Sequence, residues 1–141
     1  MKRLKMFEDF ESNHHNIGSI LEDIVSLEYI LSEEGATVIY YITKKKAEVS
    51  ELISVCLGTK DDVMSKLESI EYKNISKIKI IFEMNSELYD KTIIDEYLDK
   101  LRDHLEIYGV SFETKSPSTT GKINGSGGYS LITSNSIVVS L

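Results

Sequence analysis

The 141-residue sequence predicts a single α+β domain with a mixed β-sheet, about three helices packed on it and a C-terminal β-hairpin. Three observations support this prediction. Some segments carry apolar residues at three- and four-residue spacing, which is typical of amphipathic helices. Other segments alternate apolar with polar residues, which is typical of half-buried strands. The length suits one domain, and a chain of this size can bury a core without disulfides or metals.

The first part of the chain predicts one helix and two strands. Over residues 12–34 apolar side chains recur at helical spacing, and Gly35 follows as a residue that can end the helix. Residues 37–43, TVIYYIT, are rich in β-branched and aromatic residues and predict a strand. Residues 47–57 fit a helical stripe as well as a strand alternation. Their β-branched content favours a strand paired with TVIYYIT.

The next segments predict a helix and then a strand. Residues 59–70 predict a helix that begins at Thr59, because Asp62 lies three positions later and completes a capping box. Residues 77–84, KIKIIFEM, alternate apolar and charged side chains. They therefore predict a strand with one buried face.

The longest predicted helix covers residues 87–108 and is ended by Gly109. A short strand is expected over residues 110–114. A strand, a long helix and a further strand favour a right-handed parallel crossover.

The C-terminal part predicts a flexible loop and a hairpin. Pro117 is the only proline, and Ser116–Ser118 is expected to begin a glycine-rich loop over residues 115–128. The tail after it predicts two short strands around Ser134–Ser136. It ends in SIVVSL, and if this strand lies at the sheet edge it would invite pairing with a second copy of the chain. Residues 1–11 are expected to be flexible.

The composition restricts the kinds of partner. The net charge is −7, which argues against direct nucleic-acid binding and favours a basic protein partner. The single cysteine, Cys56, cannot form an intrachain disulfide and fits the reducing cytoplasm. No apolar run approaches the ~18 residues of a membrane span. No cofactor is expected.

Residues 119–130, TTGKINGSGGYS, raise the question of a phosphate-binding loop. A nucleotide-binding P-loop is rejected, because Ser116 stands at its first glycine, Ile123 stands at its Ser/Thr, and a strand follows. Three alternatives remain: a hairpin turn favoured by Asn124-Gly125, a mobile flap, or a backbone nest that binds an anionic metabolite or nucleotide. The candidate residues of such a nest are Thr119, Thr120, Lys122, Ser126, Gly127, Gly128 and Tyr129.

The other candidate catalytic or metal-binding residues are sparse. Glu11 and His14 are three residues apart beside His15, but the remaining histidine is the distant His104, so an exposed polar segment is the favoured interpretation. Cys56 is expected to be a small core hydrophobe rather than a nucleophile. A hydrolase that uses scattered carboxylates ranks third among the functional hypotheses.

An acidic stripe on the longest predicted helix suggests a protein-binding surface. Its residues recur at three- and four-residue spacing opposite the apolar face: Asp95, Glu96, Asp99, Asp103 and Glu106. Such a stripe can attract a basic partner. The leading hypothesis is therefore a non-catalytic cytoplasmic binding protein that captures its partner stoichiometrically, as inhibitors and immunity proteins do. The alternative is a small-ligand protein that uses the glycine-rich loop.

Overall fold

Helices and strands are interleaved in the computed structural model, which describes residues 17–46, 51–123 and 125–141. The helices are α1 (residues 17–26), α2 (Tyr29–Ser32), α3 (Lys60–Lys66) and α4 (Lys91–Glu106). The strands are β1 (Thr37–Lys45), β2 (Leu52–Gly58), β3 (Ile75–Asn85), β4 (Ser111–Ile123) and β5 (Tyr129–Ser140). The α+β class and the C-terminal strand pair are confirmed.

The first predicted helix is divided in two within the described residues. Between α1 and α2 the backbone N–H groups donate to carbonyls three residues earlier, as in a 3₁₀ turn. The Leu27 N–H, for example, donates to the Ile24 carbonyl at 3.2 Å. Gly35 ends α2 in the left-handed region, at φ 86°. The Ala36 N–H donates back to the Leu31 carbonyl at 3.2 Å and closes the helix end.

All four neighbouring strand pairs are antiparallel, and the order of the strands is β2-β1-β3-β5-β4. The strands on either side of α4, β3 and β4, do run in the same direction, but β5 lies between them. The expected parallel pair across α4 is therefore wrong. A long helical connection that skips one strand leaves room for the C-terminal strand to insert.

The tail forms one continuous strand rather than two. Ser134 is paired with Glu83 of β3 and with Ser118 of β4, so the expected turn at Ser134–Ser136 is wrong. Because β5 has hydrogen-bonded neighbours on both sides, SIVVS is not an edge. The expectation that this segment would pair with a second copy required it to be an edge strand, and it is not one. The strand pair at the C-terminus is instead the β4–β5 hairpin.

The expected loop beginning at Ser116–Ser118 is also wrong, since β4 continues to Ile123. The register with β5 shifts between Lys115 and Ser118, which places Pro117 in a β-bulge on an edge strand. A proline is tolerated there because it removes no ladder hydrogen bond. Residues 115–123 of the expected flexible loop are thus strand residues.

Residues 52–58 form strand β2, antiparallel to β1, which confirms the strand interpretation for this part of residues 47–57. The remainder, residues 47–50, lies outside the described residues, as do residues 1–11. The capping box of α3 is present: the Thr59 N–H and hydroxyl each donate to Asp62 Oδ2 at 3.0 Å. These hydrogen bonds hold the pKa of the Asp62 carboxyl below its usual value.

The core lies between the helices and one face of the sheet. Strand β3 contributes Ile78, Ile80, Phe82 and Met84, all buried, as the alternation of KIKIIFEM predicts. Helix α4 packs on this face with Ile94, Tyr97, Leu101 and Leu105. Phe82 and Tyr97 meet edge to face, with ring centroids 6.1 Å apart. Just after the end of α4, the hydroxyl of Tyr108 donates to Asp23 Oδ2 of α1 at 2.6 Å.

Truncation of a fully buried α4 residue tests this packing. We expect Leu101→Ala to lower the free energy of unfolding by about 2–5 kcal/mol, because Leu101 is 0% exposed and its removal leaves a cavity. The control is Ile107→Ala, whose side chain is 77% exposed, and we expect it to change stability by less than about 0.5 kcal/mol. Urea unfolding compares the two, and equal losses would contradict the assigned packing.

Candidate functional site

The residues of the proposed anion nest are divided between a hairpin and its turn. Thr119, Thr120 and Lys122 lie in β4, Ser126–Gly128 lie in the turn, and Tyr129 begins β5. Of the three alternatives for this segment, the structure shows the hairpin connection. Gly127 has a φ of 84°, a conformation that glycine adopts without strain.

Lys122 and Tyr129 do not converge on one site. Tyr129 is paired with Ile123, the neighbour of Lys122, so the two side chains lie on opposite faces of the hairpin. Lys122 Nζ is 3.7 Å from Glu83 Oε2. The Tyr129 phenol lies over Gly121, where an added Cβ would collide with it. The ring thus covers a strand glycine, a known way to stabilise such positions.

The acidic stripe is an exposed face of α4. All five of its carboxylate side chains, Asp95, Glu96, Asp99, Asp103 and Glu106, are exposed. Two of them have cationic neighbours on the helix: Lys100 Nζ is 3.8 Å from Glu96, and Arg102 Nη1 is 3.1 Å from Asp99. The other three make no ion pair with any residue that the structure describes.

The opposite side of the sheet carries four lysines and two glutamates. The strand register places Lys77, Lys79, Lys115 and Lys122 on the face away from the helices, together with Glu83 and Glu113. We call this surface the open sheet face. Half-exposed apolar residues separate its charges, notably Ile39 and Ile81, which are direct cross-strand partners. The four lysines outnumber the two carboxylates on the open sheet face, whereas the five carboxylates of α4 outnumber its three cations.

Cys56 lies on the open sheet face, opposite Tyr41, and is exposed. The expectation of a core cysteine is wrong because β2 is an edge strand and this face is not covered by the described helices. Glu11, His14 and His15 lie outside the described residues. Within residues 17–46, 51–123 and 125–141, no three His, Cys, Asp or Glu side chains are grouped as metal ligands. In the same ranges, no helix has the length and apolar character that a membrane crossing needs.

A polar cluster of buried Tyr40, buried Tyr97 and half-buried Glu28 lies between β1, α4 and the break before α2. Tyr40 Oη donates to Glu28 Oε1 at 3.1 Å. Burial raises the pKa of the Glu28 carboxyl, and it also raises the pKa values of the Tyr40 and Tyr97 hydroxyls. Tyr97 Oη has no hydrogen-bond partner among the described residues. This cluster follows from no sequence motif.

A second polar feature interrupts the helix-facing side of β5. Thr133 and Asn135 are buried there, in line with Ile137 and Val139. Thr133 Oγ1 is 2.7 Å from Ser86 Oγ and 3.3 Å from Thr119 Oγ1. Asn135 Nδ2, by contrast, has no partner among the described residues. Asn135 lies two residues before Ile137 and four before Val139, so in a strand all three share the buried face. The turn expected at Ser134–Ser136 concealed this spacing.

The β4 bulge opens a cavity of about 200 Å³ beside Asn135. Pro117 and Lys115 line it from β4, and Ile94 and Leu98 line it from α4. The sequence indicated that Pro117 breaks a regular pattern, but it did not predict the cavity. The cavity depends on the pairing of β4 with β5, which places Asn135 opposite the bulge.

The chain matches no protein-family model, no curated protein and no solved structure.

The unpartnered Tyr97 hydroxyl generates one prediction. We expect Tyr97→Phe to raise the free energy of unfolding by about 1 kcal/mol, because a buried hydroxyl without a partner pays its desolvation and gains no bond. Tyr40→Phe is the matched control. It removes the hydrogen bond to Glu28 and should lower stability. Equilibrium urea unfolding of both variants checks this, and a loss in Tyr97→Phe would contradict it.

The raised pKa of Glu28 predicts a pH dependence of stability. Between the ordinary value of 4.5 and the raised folded value, the folded state binds more protons than the unfolded state. Stability contributed by protonated Glu28 is therefore lost as pH rises through this window. We expect Glu28→Gln, which can still accept from Tyr40, to be relatively more stable as pH increases.

The measurement for Glu28 is the difference in melting temperature between wild type and variant across the acidic to neutral range. Taking a difference cancels Asp62, whose lowered pKa gives the opposite slope in more acidic solution. A difference that does not vary with pH would refute the assignment to Glu28.

Proposed function

We propose that this protein is a non-catalytic binding protein that captures a basic protein partner stoichiometrically on the acidic face of α4. The observation that carries the proposal is the uneven distribution of charge between the two sides of the sheet. Five exposed carboxylates line the outward face of α4 against three cations on that helix, whereas four lysines outnumber two carboxylates on the open sheet face. An uneven field orients an approaching charged partner, which a uniformly acidic surface cannot do.

The arrangement of acids on α4 carries an energetic penalty. Asp95, Asp99 and Asp103 follow one another at four-residue spacing, and like charges at this spacing destabilise a helix by about 0.2–0.5 kcal/mol per pair. Arg102 offsets part of this through Asp99, while it also lies 5.3 Å from the centroid of the Phe112 ring. A function in binding accounts for a charge pattern that stability alone does not favour.

The acidic face is also held rigidly. Four α4 residues on the opposite side of the helix are buried in the core, and the helix begins at Asp90, whose side chain accepts from the Thr92 N–H at 2.8 Å. At the other end Gly109 adopts a φ of 70° and ends the helix. A partner would meet carboxylates on a preformed backbone, so little ordering energy is lost on binding.

A second copy of this chain is a second candidate partner, favoured by the open sheet face. Its lysines complement the α4 acids, and half-exposed Ile39 and Ile81 offer apolar surface between them. Contact between two different surfaces is heterologous and would build rings or filaments rather than a two-fold dimer. Sedimentation velocity at low and high salt distinguishes self-association from capture of another protein.

The test of partner capture uses three proteins with matched charge. In the α4 variant, Asp95, Asp99 and Asp103 are replaced by Asn. In the control variant, Asp61→Asn, Glu68→Gln and Glu71→Gln remove three exposed acids around α3. We expect wild type and control to retain the same basic protein from native extract, released by salt, and the α4 variant to lose it.

The stability of the α4 variant separates a binding effect from misfolding. Removal of repulsive Asp pairs should leave its melting temperature unchanged or higher. Retention of the partner by a folded α4 variant, or capture of no basic protein by wild type, would refute the proposed function.

A further inference from the structure

Strand β2 is an edge strand whose side chains do not protect it against pairing with another strand. Its sequence, LISVCLG, contains no charged residue and no proline, and every residue from Leu52 to Cys56 is exposed. The other edge strand, β4, carries Glu113, Lys115 and Lys122, and charged side chains on an edge discourage strand addition. Of the two edges, β2 is therefore the one that combines a free backbone with apolar side chains.

The outward backbone groups of β2 belong to alternate residues. The Lys46 N–H donates to the Glu51 carbonyl at 2.9 Å, so Glu51 and the residues two and four positions later face β1 with their backbone groups. The N–H and carbonyl groups of Leu52, Ser54 and Cys56 therefore point away from the sheet. No strand among the described residues pairs with β2 on that side. A further strand would meet a row of donors and acceptors there.

The end of this row is set by α3. Lys66 Nζ donates to the Leu57 carbonyl oxygen at 3.1 Å, so the backbone is already engaged at this residue. Gly58 follows with a φ of 97°, which is outside the range of an extended strand. The span that is open to another strand is therefore Leu52–Cys56, and its centre is Ser54.

We infer that β2 pairs antiparallel with β2 of a second copy of the chain, about a two-fold axis at Ser54. The axis places residues at equal distances from Ser54 opposite one another. Leu52 then lies opposite the partner's Cys56. Ile53 lies opposite the partner's Val55. The pairing covers three apolar side chains that are 57%, 40% and 38% exposed in the single chain, those of Leu52, Ile53 and Val55.

Charge complementarity at both ends of the strand pair favours a second copy over an unrelated strand. The same axis places Glu51 opposite the partner's Leu57, whose carbonyl oxygen accepts from the partner's Lys66. Glu51 and Lys66 are both exposed, and neither forms an ion pair with another described residue. Each Glu51 carboxylate therefore meets a Lys66 ammonium of the other copy, and the symmetry forms this contact twice.

This dimer is distinct from a contact between α4 and the open sheet face. Its two halves are identical, so it closes at two copies and builds no ring or filament. Main-chain hydrogen bonds supply most of its affinity, and these are not screened by salt. The inference does not rest on partner capture by the acidic face of α4.

Sedimentation equilibrium of the full chain tests the dimer. We expect a species of twice the chain mass at about 100 μM, in low and in high salt, since one strand pair buries less than a standard interface. Ser54→Pro should be monomeric, because proline removes an outward N–H that β1 does not use. Ser54→Ala is the matched control and should dimerise as wild type does. A monomeric wild type, or a folded Ser54→Pro variant that still dimerises, would overturn the inference.

A second variant keeps the test decisive if Ser54→Pro does not fold. Val55→Lys changes an exposed side chain and leaves the backbone intact, so the single chain should retain its fold. In the dimer the lysine would face the partner's Ile53, and we expect the variant to be monomeric. A folded Val55→Lys variant with the mass of a dimer would exclude pairing through β2.

Disulfide crosslinking tests the position of the axis. Opposite residues of antiparallel strands have Cα atoms about 4.5–5.5 Å apart, which a disulfide can span. The variant Ser54→Cys, Cys56→Ser should therefore form a covalent dimer on mild oxidation. Wild type should not, because the two copies of Cys56 are about 13 Å apart along the strands. The control Ser118→Cys, Cys56→Ser, on the far edge, should stay uncrosslinked. Crosslinking of wild type but not of the Ser54→Cys variant would refute the axis at Ser54.

Charge reversal tests whether the occupant of the edge is a second copy. Glu51→Lys and Lys66→Glu should each weaken dimerisation about fivefold, because each places like charges together at both ends of an exposed pair. The double variant Glu51→Lys, Lys66→Glu restores opposite charges and should dimerise as wild type does. A double variant that dimerises no better than either single variant would contradict the proposed pairing.

Discussion

The alternation of side chains along β3 is the constraint on which the rest of the structure depends. This strand is the middle one of five and is paired over most of its length with β1 on one side and β5 on the other. Its alternating buried residues, Ile78, Ile80, Phe82 and Met84, fix which face receives the helices. A shift of the pairing register by one residue would turn these buried side chains to the solvent-facing side of the sheet. The registers of β1 and β5 are therefore fixed by their pairing with β3. The acids of α4 point outward because the opposite side of this helix packs on that face.

Local patterns in the sequence were sufficient to predict most of the elements. The helical spacing of α4, the alternation of β3 and the capping box at Thr59 are each settled within a few residues of chain, and all are present. Pairing between distant segments was not predictable in this way. The polar triplet Ser134–Ser136 has the composition of a turn, but hydrogen bonds to β3 and β4 on both sides hold it in a strand. Tertiary pairing overrides local preference there.

The candidate sites differ in the same way, since some follow from local sequence spacing and others only from the pairing of distant strands. The acidic face of α4 could be found from spacing alone, because a helix places residues four apart on one side. The glycine-rich stretch drew attention through its composition, but strand alternation turns Lys122 and Tyr129 to opposite faces. Asn135 carries no motif. Its burial opposite the bulge of β4 follows from the pairing of β4 with β5, which only the assembled sheet reveals.

The bulge at Pro117 has a further consequence for the solubility of the chain. Strand β4 spans 13 residues at the edge of the sheet, and a regular edge of that length is a template for strand addition and fibril growth. A proline without an N–H and a break in the ladder interrupt that template near its middle. The irregularity that opens the cavity therefore also acts as a safeguard against aggregation. A replacement of Pro117 that straightened β4 would close the cavity and also remove the protection against strand addition.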